Sequence, residues 1–346
     1  MAECASSQKA WGRSLGNALP VLLALVGLCV GSEAALAQRE LDPRVADQAS
    51  GMLKRADALA AKGDLDDAVG RYTSVATRYP GTEIAATALW QIYRLQISRS
   101  NPSGAFEALD RLASGQSGHF EKAQSEQLRL VKRLMGEADG ERRSLDERHP
   151  SEVTKPAVIE TMLKRIIQLG PYSESGIHAE FLLALSKERG GEADEAADMH
   201  EKFLEKHADH EMADDAAYQV AYIRYKRWKS MRGESPRYRE AAAVALAYFL
   251  ARFPDSAKAA QAQSCLSDLR ASEFKELMGL VSYYEAEEQP EAAAVYYREM
   301  GSRFPEVVAR SPELQKKVRQ SIQILKESGD TPSPPDVGPG RSDAGR

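Results

Sequence analysis

A twelve-residue spacing constrains this chain more than any other feature. Ala68 lies twelve residues before Pro80, Ala242 twelve before Pro254 and Ala293 twelve before Pro305, and Ala196 stands in the same relation to Ala208. An aromatic residue sits inside each segment: Tyr72, Phe203, Phe249 and Tyr297. A ring also occupies the position before the last: Tyr79, His207, Phe253 and Phe304. A weaker fifth unit ends at Pro171, preceded by Ile166, Ile167 and Leu169. The small Ala lets a neighbouring helix approach closely. The helix then runs for a few turns and stops, because Pro cannot continue it. Two residues after the Pro, Thr82, Ser173 and Ser256 are placed to cap the next helix by accepting a backbone N–H bond. Gly63-Asp64 and Gly190-Gly191 supply turns upstream of the repeated helix. Strand signals are nearly absent, and stretches such as Ala241 to Ala251 strongly favour helix. The expectation is an all-α fold, a tetratricopeptide-like repeat superhelix of antiparallel helix pairs.

Composition narrows the function. The 346 residues carry a net charge of −5, with 43% hydrophobic and 28% charged residues. That balance excludes a polytopic membrane protein and a wholly disordered chain. The mild acidity argues against nucleic-acid binding, which needs a basic face. At the N-terminus, Lys9 and Arg13 precede the apolar run Ala18 to Val30, and Ala35-Leu36-Ala37 offers a signal-peptidase site with Gln38 as the new N-terminus. The run is short of the roughly 20 residues a spanning helix needs. An uncleaved anchor is one alternative. Lipidation of Cys29 is another, although Leu28 stands where a lipobox wants a small residue. Cleavage after Ala37 leaves Cys265 alone, without a disulfide partner, as a small buried hydrophobe.

The expected organisation is a signal peptide over 1–37, N-terminal repeats over 38–112, an irregular helical connector over 113–156, C-terminal repeats over 157–327 and a disordered Pro/Gly-rich tail over 328–346. The connector holds one predicted helix, Phe120 to Met135. Lys229 to Arg237 reads as a short polar insertion.

Chemistry-bearing motifs are sparse. There is no phosphate loop, nucleophile elbow, His-Glu-x-x-His or CxxC pair. His200, His207 and His210 lie near Glu201, Glu205 and Asp209. His207 and His210 cannot share a helical face if the helix ends near Ala208, so His207 reads as a packing ring. The paired acids Asp66-Asp67, Asp214-Asp215 and Glu287-Glu288 fall near helix starts or turns, where the helix dipole favours acids. No catalytic, cofactor or metal set is expected, and the chain reads as a non-enzyme. The informative stretch is Tyr218, Tyr222 and Tyr225, spaced i, i+4, i+7, followed by Trp228 and interleaved with Arg224, Lys226, Arg227 and Lys229. Such a stripe is either core packing between repeats or the wall of a groove that takes a peptide or a partner's helix.

From about Glu195 to Leu325 the sequence resembles the BamD family of outer-membrane assembly factors. The resemblance rests on three stretches. The first runs through Glu195-Ala196-Ala197, Phe203-Leu204, His210 and Asp214-Asp215-Ala216-Ala217-Tyr218. The second is Ala241 to Leu269, with its Phe-Pro-Asp-Ser turn. The third is Ser282-Tyr283-Tyr284, Ala292-Ala293-Ala294 and Arg303-Phe304-Pro305. Residues Ala56 to Leu89 resemble the family's first repeat. The resemblance implies a periplasmic scaffold at the inner face of the outer membrane. Its partners would be the β-barrel insertase BamA and unfolded outer-membrane protein segments. Where the family carries an Arg placed toward the insertase, this chain has Tyr296, with Arg298 two residues on. The partner-binding residues expected are therefore Tyr218, Tyr222, Arg224, Arg227, Tyr296 and Arg298. A periplasmic repeat protein that coordinates cell-wall synthesis with envelope constriction is the alternative.

Overall fold

The computed structural model describes residues 41–115, 117–136, 155–231 and 235–327. The expected signal peptide, Cys29, the charged part of the connector after 136 and the C-terminal tail lie outside the described residues. Among the described residues there are fourteen α-helices and no strand. In order they are α1 (Pro43–Lys62), α2 (Leu65–Arg78), α3 (Glu83–Ser98), α4 (Pro102–Gly115), α5 (Phe120–Met135), α6 (Pro156–Leu169) and α7 (Glu174–Arg189). Then follow α8 (Ala193–Lys206), α9 (Ala213–Ser230), α10 (Pro236–Arg252), α11 (Ala259–Ala286), α12 (Pro290–Arg303), α13 (Pro305–Arg310) and α14 (Pro312–Glu327). No described helix is long and apolar enough to cross a membrane. The fold is the all-α helical repeat of the tetratricopeptide type.

The repeat register is visible in the even-numbered helices from α2 to α12. Their first key residues are Ala68, Ala105, Ile159, Ala196, Ala242 and Ala293. Four positions on come Tyr72, Leu109, Leu163, His200, Leu246 and Tyr297, and three further on Val75, Leu112, Ile166, Phe203, Phe249 and Met300. Every one of these side chains is buried. The spacing i, i+4, i+7 puts them on one stripe, which is what a helix needs to seat against its neighbours. Each of these helices ends ten residues after its key residue, and all but the 17-residue α10 are 14 residues long. Five close alike: the N–H of Tyr79, Gly170, His207, Phe253 or Phe304 donates to the carbonyl four residues back, at 2.8–3.1 Å. Four of these five precede a Pro, which pushes the preceding residue out of the helical region.

Capping follows the expectation at two sites and departs from it at the third. Thr82 Oγ1 accepts from the Ala85 N–H at 3.3 Å, and Ser173 Oγ accepts from the Gly176 N–H at 3.0 Å. Ser256 Oγ accepts from the Lys258 N–H at 3.3 Å. Because α11 begins only at Ala259, Ser256 closes the preceding turn rather than the helix.

The chain divides into two units, residues 1–186 and 187–346, with the boundary inside α7. In the first, α1 to α4 and the start of α5 enclose one core of mostly small and aliphatic side chains. Buried Gln124 ties α5 to the α6–α7 turn: its Nε2 donates to the Ile166 carbonyl at 3.1 Å, and its Oε1 accepts from Ser173 Oγ at 2.6 Å. Arg165 grips both carboxylate oxygens of Asp110 at 2.6 and 3.2 Å. In the second unit, one core joins α9, α10 and the front of α11, and another joins the back of α11 to α12, α13 and α14. The 28-residue α11 therefore serves both cores, and at 1.5 Å per residue it is about 42 Å long. Cys265 is a free thiol buried in the first of these cores.

Candidate partner-binding surface

Helix α9 carries the tyrosine stripe, and the structure shows how its rings are held. Tyr218 and Tyr222 stack with centroids 5.6 Å apart at 14°. Tyr222 and Tyr225 stack at 6.3 Å and 23°, and Tyr225 meets Trp228 at 5.8 Å. The far side of Tyr218 meets the edge of Phe249 from α10 at 5.6 Å. Offset and edge contacts of this kind suit the quadrupole of aromatic rings. Tyr218, Tyr225 and Trp228 are buried, whereas Tyr222 is half exposed.

Each exposed flank of this ladder carries a cation that serves two partners. Lys226 Nζ lies 5.1 Å over the Tyr222 ring and 2.6 Å from Glu188. Lys229 Nζ lies 5.2 Å over Tyr225 and 2.8 Å from Asp268. Lys258 stands 5.3 Å over Tyr218 and pairs with Asp215. Arg224 pairs with Glu201 of α8, and Arg227 with Asp194 of α8 at 3.0 Å, with its guanidinium 5.5 Å over Tyr238. A cation held over a ring and beside a carboxylate has little freedom left, so this surface is largely preorganised.

Electrostatics follow from these contacts. The Lys229 ammonium and the Tyr225 hydroxyl, which donates to Oδ2 at 2.6 Å, hold the Asp268 carboxyl below its usual range. Burial pushes the Tyr218 phenol up to about 12. Burial first, and then the bond to Asp268, raises Tyr225. Both phenols stay neutral at physiological pH: Tyr225 packs and hydrogen-bonds, and Tyr218 packs, so neither acts as a base.

The other expected residues lie elsewhere in the second unit. Tyr296 on α12 is buried and stacks on Tyr284 at 5.5 Å and 12°, in the core shared by α11 and α12. Arg298 is exposed, with no ion partner among the described residues. The six expected residues thus form two groups. The first is Tyr218, Tyr222, Arg224 and Arg227 on α9; the second is Tyr296 and Arg298 on α12. Within the first, Tyr222, Arg224 and Arg227 retain accessible surface, while Tyr218 supports them from beneath. Sequence reasoning missed the acids that position the arginines, Asp194 and Glu201, since nothing local to them marks a pairing with another helix. It also missed the outward face of α10, where Val244 and Tyr248 are 62% and 54% exposed. The apolar run from Ala241 to Ala251, too long to be hidden on one stripe, is the signal for it.

His207 and His210 pack as rings against Phe203, and His210 Nδ1 also accepts from the Met212 N–H at 3.2 Å. The His207 and His210 rings lie 5.0 and 5.9 Å from Phe203. His200 is fully buried, and that burial drives its pKa down to about 4, so it is neutral at pH 7.

Two protein-family models match parts of the chain. Residues 157–328 match the YfiO family of outer membrane lipoproteins, and residues 50–82 match a tetratricopeptide repeat family. Among solved structures, a tetratricopeptide repeat protein from Parabacteroides merdae is similar at 12% identity and a TM-score of 0.33, covering 80% of this chain and 99% of that one. No curated protein matches.

Proposed function

We propose that this BamD-like tetratricopeptide-repeat protein, a scaffold of the outer-membrane assembly type, binds a β-barrel insertase through its second unit and assists assembly of outer-membrane proteins. The match of residues 157–328 to an outer membrane lipoprotein family carries this reading. That span holds α6, from its second residue, through α14, including the tyrosine ladder. The insertase docks on Tyr222, Arg224 and Arg227, with exposed Arg298 as a second point of contact on α12 and buried Tyr296 supporting that helix from the core. Aromatics and Arg are the side chains that dominate binding energy at such interfaces. Binding is an equilibrium in a groove the helices already hold in shape, which spares the ordering cost of a flexible site.

Unfolded substrate segments dock on the first unit. The feature that supports this is the paired face of α3 and α5. There Lys122 lies 4.9 Å over Trp90, and Tyr93 donates to Glu126 at 3.0 Å, itself paired with Arg129 at 3.0 Å. The protein works in the periplasm, at the inner face of the outer membrane, after export by a cleavable signal peptide. The test is a crosslinked pull-down of the tagged full-length protein from its native envelope, with the mature N-terminus determined on the same sample. Recovery of a BamA-type insertase is expected, together with a start at Gln38. Recovery of cell-wall enzymes or inner-membrane division proteins without an insertase overturns the assembly reading and moves the function to envelope constriction.

A further inference from the structure

A hollow of about 290 Å³ opens between the α11–α12 turn and α14 in the second unit. Its deeper lining is mostly apolar, Ala293 and Ala294 from α12 and Ile324 from α14, with Ser321 of α14 beside them. Small residues on α12 create the space, since larger ones at the same places would fill it. Its rim is charged: Glu285, Glu288 and Lys317 all line it.

The rim is asymmetric in what remains available. Lys317 Nζ donates to Glu285 Oε1 at 2.7 Å, and the Tyr297 hydroxyl donates to the same oxygen at 3.1 Å. Both donors meet the same oxygen, and Glu285 Oε2 carries no hydrogen bond among the described residues. Glu288 is exposed and makes no ion pair there either. The Lys317 hydrogen bond holds the Glu285 carboxyl below its usual range, so it stays ionised at neutral pH. Two carboxylates against one engaged ammonium leave the opening net negative. An anion entering would meet both acids, and a purely apolar group would strip water from them without return. A cation at the end of an alkyl chain satisfies both parts of the lining. Its stem lies on the alanines and Ile324 while its head stays at the carboxylates, as lysine and arginine side chains do on protein surfaces.

We propose that this hollow is a binding site for an alkylammonium or guanidinium group on an aliphatic stem, with Glu288 and the free oxygen of Glu285 as its anionic contacts. This site does not depend on the envelope-assembly reading. The two sources of such a group are a basic side chain of a protein partner and a free polyamine.

The test uses the full-length chain and follows the methyl resonances of Ala293, Ala294 and Ile324 during titration. The probes are acetyl-Gly-Arg-Gly-amide, its citrulline counterpart, which has the same shape without the charge, and putrescine. The arginine peptide or putrescine is expected to move these methyls to saturation, and the citrulline peptide to leave them in place. Tighter binding of the peptide identifies a protein side chain as the occupant, and tighter binding of putrescine identifies a free polyamine. Glu288→Gln should weaken binding roughly twofold to fivefold, the size expected for an exposed ion pair. Glu288→Gly serves as a second variant that cannot lose binding by failing to fold. Glu288 has a φ of +54°, a conformation glycine adopts without strain, so this variant should melt no lower than the parent and still bind more weakly. Equal shifts from citrulline and arginine, unchanged affinity in Glu288→Gln, or no methyl response to either cation overturns the proposal.

Discussion

Two register helices of the first unit fill their stripe with aliphatic side chains, Leu109 and Leu112 on α4 and Leu163 and Ile166 on α6, all buried. In the second unit α8 and α10 place rings at the last position of the stripe, Phe203 and Phe249, and α9 then stacks four more aromatics. Both units nevertheless end their register helices ten residues after the key position. The stripe at i, i+4, i+7 therefore determines the fold, whatever apolar group occupies it. What the second unit gains from rings is surface. A tyrosine can pack with its body and still offer an edge and a hydroxyl to cations and partners, which a leucine cannot.

Cavities at equivalent slots give the strongest way to break that comparison. Phe249→Ala should cost about 3–5 kcal/mol and Leu112→Ala about 2–5 kcal/mol, because both leave buried holes at the same point of the register. Chemical denaturation of the full chain measures both. A negligible cost for Leu112→Ala would mean that the two units do not share the register.

The next test concerns the one imidazole in the stripe. His200 takes the place held elsewhere by Tyr72, Leu109, Leu163, Leu246 and Tyr297. The unfolded chain protonates this imidazole below about pH 6.5, whereas burial delays its protonation in the folded chain to about pH 4. Stability present above pH 6.5 is therefore lost as the pH falls toward 4, by up to about 3 kcal/mol. His200→Leu should remove this part of the pH dependence, measured as urea midpoints at pH 7 and pH 4.5. An unchanged difference between the two midpoints would place the titration elsewhere.

Two glycines sharpen the comparison on a smaller scale. A Cβ on Gly176 would stand 1.9 Å from the Gly170 carbonyl oxygen, whereas one on Gly279 of α11 would meet nothing within 4 Å. Gly176→Ala should destabilise by about 1–3 kcal/mol through overpacking. Gly279→Ala should stabilise by about 0.5–1 kcal/mol through lower chain entropy. Thermal melts of the two variants, shifted in opposite directions, are the expected result.

Much of the fold was legible because Pro marks helix ends. The segments anchored on Pro80, Pro171, Pro254 and Pro305 all became register helices, and Phe120–Met135 is a helix with the expected ends. Helix α4 escaped because Gln116-Ser117 stands where the others have a ring, a Pro or both. Its Ala105, Leu109 and Leu112 carry the same stripe, so the apolar spacing is a deeper signal than the turn. The site was less legible. An i, i+4, i+7 tyrosine stripe does not tell a groove from a core, and α9 divides its rings between both: Tyr218 faces Phe249 while Tyr222 keeps an open side. Nor does sequence spacing reveal that Arg224 and Arg227 are held by Glu201 and Asp194, more than twenty residues away.

Docking of a barrel insertase on the α9 surface is a proposal open to direct measurement. The direct measurement is the affinity of the purified full-length protein for the periplasmic domains of the insertase, compared between the parent and Arg224→Glu. Arg224 is a half-exposed member of a surface ion pair, so its reversal should change stability by no more than about 1 kcal/mol and leave helicity intact. At the interface the same change places a like charge against the partner's acids, and a loss of at least roughly tenfold in affinity is predicted. Equal affinity of the parent and Arg224→Glu for the insertase would contradict the account and place the docking surface elsewhere on the chain.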